Sequence, residues 1–98
     1  MSPYQMTTEQ IISQVTEICR RCNAGHLYLF GSYAVGSQTP TSDMDFYVKG
    51  IKNPDDLSRI REETEKIPTL KTIDIFDYDR CRNQYLKEDM DLYGKEIY

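Results

Sequence analysis

The chain has 98 residues and a formal net charge of −4, from 12 Lys and Arg against 16 Asp and Glu. With 39% hydrophobic and 29% charged residues it has the balance of one small globular domain spanning residues 1–98. The acid excess argues against general nucleic-acid binding, which uses a basic face. No apolar run approaches the roughly 20 residues of a membrane span, and the start MSPYQMTTEQ has neither the basic nor the apolar part of a secretory signal. Three cysteines in no scaffold pattern fit a reducing compartment. A cytoplasmic location without a membrane partner is therefore expected.

The first helix is expected from about Thr7, which can cap while Gln10 completes a capping box. Ile11, Ile12, Val15, Ile18, Cys19 and Cys22 form its apolar stripe, and Asn23 and Gly25 stop it. His26 to Phe30 is short, apolar and aromatic, and reads as a buried strand ending at Gly31. A loop or short helix follows from Ser32 to Ser42, with Gly36 and Pro40 as breakers. Met44, Phe46 and Val48 then alternate with Asp45, Tyr47 and Lys49, the period of a strand. Asn53 and Pro54 open a second helix, with Leu57, Ile60 and Ile67 inward and Pro68 as its stop. Lys71 to Phe76 is a third strand. A last helix is expected from about Asp79 to Leu92, with Cys81, Tyr85, Leu86 and Met90 as core contacts. Gly94 ends it, and Lys95 to Tyr98 form a short final strand. Alternation of helices and strands makes this an α/β or α+β domain.

Three acids stand where acids are unfavourable. Asp43 and Asp45 are two residues apart and project from one strand face. Asp74 lies inside Thr72-Ile73-Asp74-Ile75-Phe76. Aspartate is depleted in strands, and converging carboxylates repel. Such a set suits Mg²⁺ or Mn²⁺, which prefer oxygen donors and share ligands with substrate phosphates. Upstream, Tyr28-Leu29-Phe30 runs into Gly31-Ser32, a turn where a ligand can approach backbone amides and a hydroxyl. Together these are the parts of a metal-assisted phosphoryl or nucleotidyl transfer site.

Gly31-Ser32, ten residues, then Asp43-Met44-Asp45 matches the G-S-x10-D-x-D signature of the DNA polymerase β-like nucleotidyltransferases. LYLFGSYAVGSQTPTSDMDFYV resembles the small bacterial members, the minimal nucleotidyltransferases. Asp74 in KTIDIFDYD and the ending DLYGKEIY resemble the family's third acid and closing turn. The resemblance implies a small mixed β-sheet with helices packed mainly on one side. It implies that Asp43 and Asp45 hold two divalent ions, that Asp74 completes one of them and activates the acceptor hydroxyl, and that Gly31 and Ser32 position the phosphates of ATP. The chain departs from the family at Val35, where an Arg is common. Val35 makes no charge-assisted bond to phosphate. Lys49, Lys71, Arg80 and Arg82 are the cations available to substitute.

Little sequence stands outside this unit, so the acceptor is expected on a separate protein. The resemblance implies an antitoxin paired with a HEPN-domain toxin, which it blocks by contact, by adding AMP to a toxin tyrosine, or both. Two alternatives stand beside this: a binding module with a weak or inactive site, and a small-molecule or RNA-end nucleotidyltransferase that borrows an acceptor-binding subunit. Other signals have plainer readings. Cys19 and Cys22 share the core-facing stripe and lack partners for zinc. His26 is structural, Tyr33 and Tyr98 are the tyrosines open to a partner, and RIREETEK is a solvated helix face with i,i+4 pairs.

Overall fold

Among the described residues, every helix start is set by a side chain that accepts from the backbone, or by a glycine. In the computed structural model, which describes residues 6–98, Thr7 caps α1 (Thr8–Arg21) through the expected capping box. Its Oγ1 accepts from the Gln10 amide at 3.1 Å while the Thr7 amide donates to Gln10 Oε1 at 2.8 Å. The first five residues of the expected 1–98 domain lie outside the described residues. After α1 come β1 (His26–Phe30), α2 (Ser32–Val35), β2 (Met44–Lys49), α3 (Pro54–Glu65), β3 (Ile73–Asp77), α4 (Gln84–Tyr93) and β4 (Lys95–Glu96). Asn53 caps α3 and Asn83 caps α4, each through its side-chain oxygen. Between α1 and β1, Asn23 takes a left-handed φ of 64°, a conformation that Asn tolerates better than most residues.

The four strands form one mixed sheet in the order β3-β2-β1-β4. β1 runs antiparallel to β2 and β4, while β2 and β3 are parallel and joined through α3. One face buries Leu27, Leu29, Met44, Phe46, Val48 and Ile75 against Ile11, Val15 and Ile18 of α1 and Ile60 of α3. The other face is aromatic. Phe30 and Tyr47 are buried there with Met90 of α4, flanked by Tyr28, Phe76, Tyr78 and Leu86. The architecture is thus α+β with a small mixed sheet. α1 and α3 cover one face, and α4 alone roofs the other.

Cys19 and Cys22 are buried in the first core, and burial, with Cys22 beside it, pushes the Cys19 thiol up to about 12. Both pack as small apolar groups. Tyr98 is held rather than open. Its hydroxyl donates to the Ala24 carbonyl at 2.9 Å and Arg20 lies over its ring. On α3 the ion pairs are i,i+3, Arg59 with Asp56 and Lys66 with Glu63, and Arg61 instead donates to the Ile75 carbonyl.

The last helix begins later than its sequence indicates. Residues 78–80 form a turn because Asp77 accepts from the Asp79 amide at 3.1 Å and pairs with Arg80. Those bonds compete with helical ones. Tyr85 follows the cap and faces solvent, 82% exposed, instead of joining the core.

Tyr47 ties the roof to the sheet. Its ring stacks on Tyr28 with centroids 4.6 Å apart and meets the edge of Phe30 at 5.4 Å. Its hydroxyl donates to the Met90 carbonyl at 2.9 Å. Burial pushes this phenol up to about 12, so it remains a donor at all ordinary pH. The close approach requires Gly94, where a Cβ would collide with the Tyr47 hydroxyl. Tyr47→Phe is expected to lower the unfolding free energy by about 1 kcal/mol. Gly94→Ala should lower it by ~2 kcal/mol through overpacking. Urea unfolding of the two variants reads both values.

Candidate active site

Strand register, more than any single residue, assembles this site. Phe30 is opposite Asp45 across the antiparallel β1–β2 pair. Asp45 is opposite Asp74 across the parallel β2–β3 pair. β1 therefore leaves the sheet at the end where β2 and β3 enter it. That brings the Gly31 turn, Asp45 and Asp74 to one end of one face. Alternation puts Asp45 and Asp74 on the aromatic side, away from the aliphatic core.

Gly31 has φ 76° and ψ −155°, a conformation open in practice to glycine alone. A Cβ here would also lie 2.5 Å from Asp45 Oδ2. The backbone of the turn thus lies directly against the carboxylate. The Gly31 carbonyl accepts from the Ala34 amide at 3.1 Å and the Val35 amide at 3.4 Å. The amides of Ser32 and Tyr33 precede the first internal bond of the turn. Ser32 is half-buried beside them.

Asp45 carries the electrostatic strain of the site. Partial burial, then the neighbouring charges of Asp74 and Asp43, then a hydrogen bond with Asp74, push its carboxyl up to about 6. Asp45 lines a cleft of about 490 Å³ with Phe30, Gly31, Val35, Asp89 and Tyr93. Asp43 is exposed, one residue ahead of β2, and lines a second cleft with Ser42, Lys71 and Thr72. The structure brings Asp45 and Asp74 side by side and places Asp43 near enough to act on Asp45 by its charge. Among the described residues, no three His, Cys, Asp or Glu side chains converge as they stand into a set able to hold a metal ion. The donors are nonetheless carboxylate oxygens, the kind that hard divalent cations take. Their mutual repulsion at Asp45 is what a cation relieves.

Of the four cations, Lys49 lies over the rings of Tyr28 and Tyr78. Arg80 is engaged by Asp77 and the Ile51 carbonyl, and Arg82 is exposed beyond β3. Lys71 is the one that shares clefts with Asp43 and Asp74. It donates to the Pro40 carbonyl at 3.2 Å and lies 5.3 Å from the Tyr33 ring centroid. Tyr33 is accordingly half-buried, not open. His26 begins β1 at the end remote from Gly31, opposite Lys49. Sequence reasoning missed Asp89 and Tyr93. The one hint was that Tyr93 continues the i, i+4, i+7 spacing of Leu86 and Met90.

Known proteins share this fold. The family described as Polymerase beta, Nucleotidyltransferase matches residues 11–98, and the chain belongs to that family. A toxin–antitoxin crystal structure with AMP-PNP superposes with a TM-score of 0.72 at 20% identity, over 88% of this chain and 71% of that chain. A mutant of the toxin–antitoxin MntA-HpeT gives 0.71 at 18% identity, over 88% and 71%. A structure described as a minimal nucleotidyltransferase gives 0.70 at 22% identity, over 93% and 96%. At these identities the likeness is one of fold. Among curated proteins, none matches the chain significantly. No helix among the described residues is long and apolar enough to cross a membrane.

A pH dependence follows for the metal-free protein. The folded state raises the Asp45 carboxyl from 3.8 to about 6, so it holds the proton more tightly than the unfolded chain does. The associated stability is present below pH ~4 and is lost as pH rises to ~6. Solvent in the open cleft screens the effect to about 1 kcal/mol. Urea unfolding between pH 4 and 7 should show that fall, and Asp45→Asn should flatten it. An equal slope in the variant would assign the fall to other groups.

Proposed function

We propose that this chain transfers AMP from ATP to a hydroxyl of a partner protein, and that it acts as the antitoxin of a toxin–antitoxin pair. The observation that carries the reading is the alignment of Gly31, Asp45 and Asp74 at one end of the sheet, with a glycine required where backbone meets carboxylate. Support for the partner comes from the toxin–antitoxin structures that share the fold. The partner named by the sequence resemblance is a HEPN-domain toxin, with one of its tyrosines as acceptor. Residues 1–98 would act as one domain, in the cytoplasm.

In this reading the Gly31 turn and the Ser32 hydroxyl hold the β- and γ-phosphates. Asp43, Asp45 and Asp74 would hold Mg²⁺ or Mn²⁺, two ions in all, whose charge stabilises the attacking and leaving oxygens. Asp74 accepts the proton of the acceptor hydroxyl. The hydroxyl oxygen then bonds to the α-phosphorus, the bond from that phosphorus to the bridging oxygen breaks, and pyrophosphate leaves. The absence of an Arg at Val35 favours, as a second reading, neutralisation by contact alone.

Calorimetric melting separates these. Mg²⁺ with ATP should raise the melting temperature of the wild type. Asp43→Asn/Asp45→Asn should abolish that rise while raising the melting temperature of the ligand-free protein, because it removes like charges. No rise in the wild type would count against transfer. Labelled ATP incubated with the chain and the product of the adjacent reading frame should label that product. Undiminished neutralisation by the double Asn variant would favour contact alone.

A further inference from the structure

The contacts of α4 with its own domain leave one face of the helix unexplained. Met90 is its one fully buried side chain, and Leu86 packs beside it. On one flank Lys87 lies over the Tyr78 ring, 4.5 Å from its centroid, and Asp91 accepts from the Tyr78 hydroxyl at 2.7 Å. On the other flank Asp89 and Tyr93 line the Asp45 cleft. What remains is turned away from the sheet. There Tyr85 is 82% exposed and Leu92 73%.

These two are not scattered surface residues. Positions 85, 88, 89 and 92 stand at i, i+3, i+4 and i+7, which is one stripe of an α-helix. The stripe is therefore apolar at both ends, with Glu88 and Asp89 in its middle, both exposed. Among the described residues no Lys or Arg pairs with either acid. Two large apolar groups on one stripe of a surface helix, seven residues apart, are the anchor pattern of helix recognition. Tyrosine is also among the residues enriched where proteins dock.

The charges decide what can cover the stripe. In an isologous pairing of two copies the helices cross about the midpoint between residues 88 and 89. Tyr85 of one copy would meet Leu92 of the other, but Glu88 would meet Asp89, and like charges would be brought together. Nucleic acid and anionic lipid are repelled by the same two acids. A surface with apolar side chains flanking Lys or Arg matches the stripe in both respects. We infer that the outer face of α4 is the docking surface for a basic amphipathic helix of the partner protein. Its apolar residues pack on Tyr85 and Leu92, and its cations meet Glu88 and Asp89. Asp89 belongs to both the stripe and the Asp45 cleft, so a helix seated there lies at the border of the candidate active site. The inference rests on the reading that the acceptor is carried by a separate protein.

Isothermal titration of the full chain with the product of the adjacent reading frame tests it. Tyr85→Ser/Leu92→Ser should weaken binding at least about tenfold, as loss of buried anchors does. Tyr85→Phe should keep most of the affinity. Glu88→Lys should weaken binding at low salt, and the difference from the wild type should shrink as salt is added. Both weakened variants should keep the wild-type rise in melting temperature with Mg²⁺ and ATP, which shows that they are folded and that the cleft is intact. Wild-type affinity in Tyr85→Ser/Leu92→Ser, or unchanged or tighter binding by Glu88→Lys, would overturn the α4 surface and leave the partner reading standing. A chain that sediments alone as a dimer, and as a monomer once Tyr85 and Leu92 are replaced, would make a second copy the occupant and overturn it too. If the wild type does not bind the neighbouring product at all, the partner reading falls and the docking surface with it.

Discussion

The register of β2 is the constraint on which the rest of the structure depends. With Phe30 opposite Asp45 and Asp45 opposite Asp74, a glycine turn and two carboxylates meet at one end of the sheet. A slip by one residue would turn every side chain of β2 to the other face. Asp45 and Tyr47 would enter the aliphatic core, and Met44, Phe46 and Val48 would leave it. These three apolar residues are fully buried, worth roughly 2 kcal/mol each on transfer. The aliphatic face therefore enforces the geometry of the acidic one.

The site itself works against stability. Asp45 is partly buried, faces Asp74, and has its carboxyl pushed up to about 6. Gly31 contributes a backbone conformation that no other residue adopts comfortably, and it lies against Asp45 where a side chain would clash. The neighbouring rung offsets this. Tyr28, Tyr47 and Phe76 are paired across the three strands, and stacking and edge contacts link this rung to Phe30. Tyr47 then reaches the end of α4 through one hydroxyl. The same aromatic layer thus closes the second face of the sheet and sets the height of the roof over the Asp45 cleft.

Local signals in the sequence carried much of the architecture. The capping box at Thr7, the Asn-Pro start at Asn53, the alternation from Met44 to Lys49 and the stop at Gly94 each act through neighbouring residues, so each was legible without partners. Misreadings arose where distant or competing bonds decided. Asp77 holds the turn to Arg80 and delays α4, and Tyr85 then faces solvent. Tyr98 looked free, but Arg20 and the Ala24 carbonyl hold it from elements far away in the chain.

For the site, sequence alone determined the chemical inventory: a glycine-serine turn, two acids spaced for one strand face, and a third acid in a later strand. Side-chain alternation has a period of two, and so is readable from spacing. What only the tertiary structure decided is which groups meet. Parallel pairing of β2 with β3 put Asp74 beside Asp45 and left Asp43 at the strand's entrance. The packing of α4 on Tyr47 brought Asp89 and Tyr93 to the same cleft, and the Lys71 bond to Pro40 singled out one lysine among four cations. Strand pairing and helix docking join residues tens of positions apart. They depend on the shapes of two buried faces at once, which no local spacing contains.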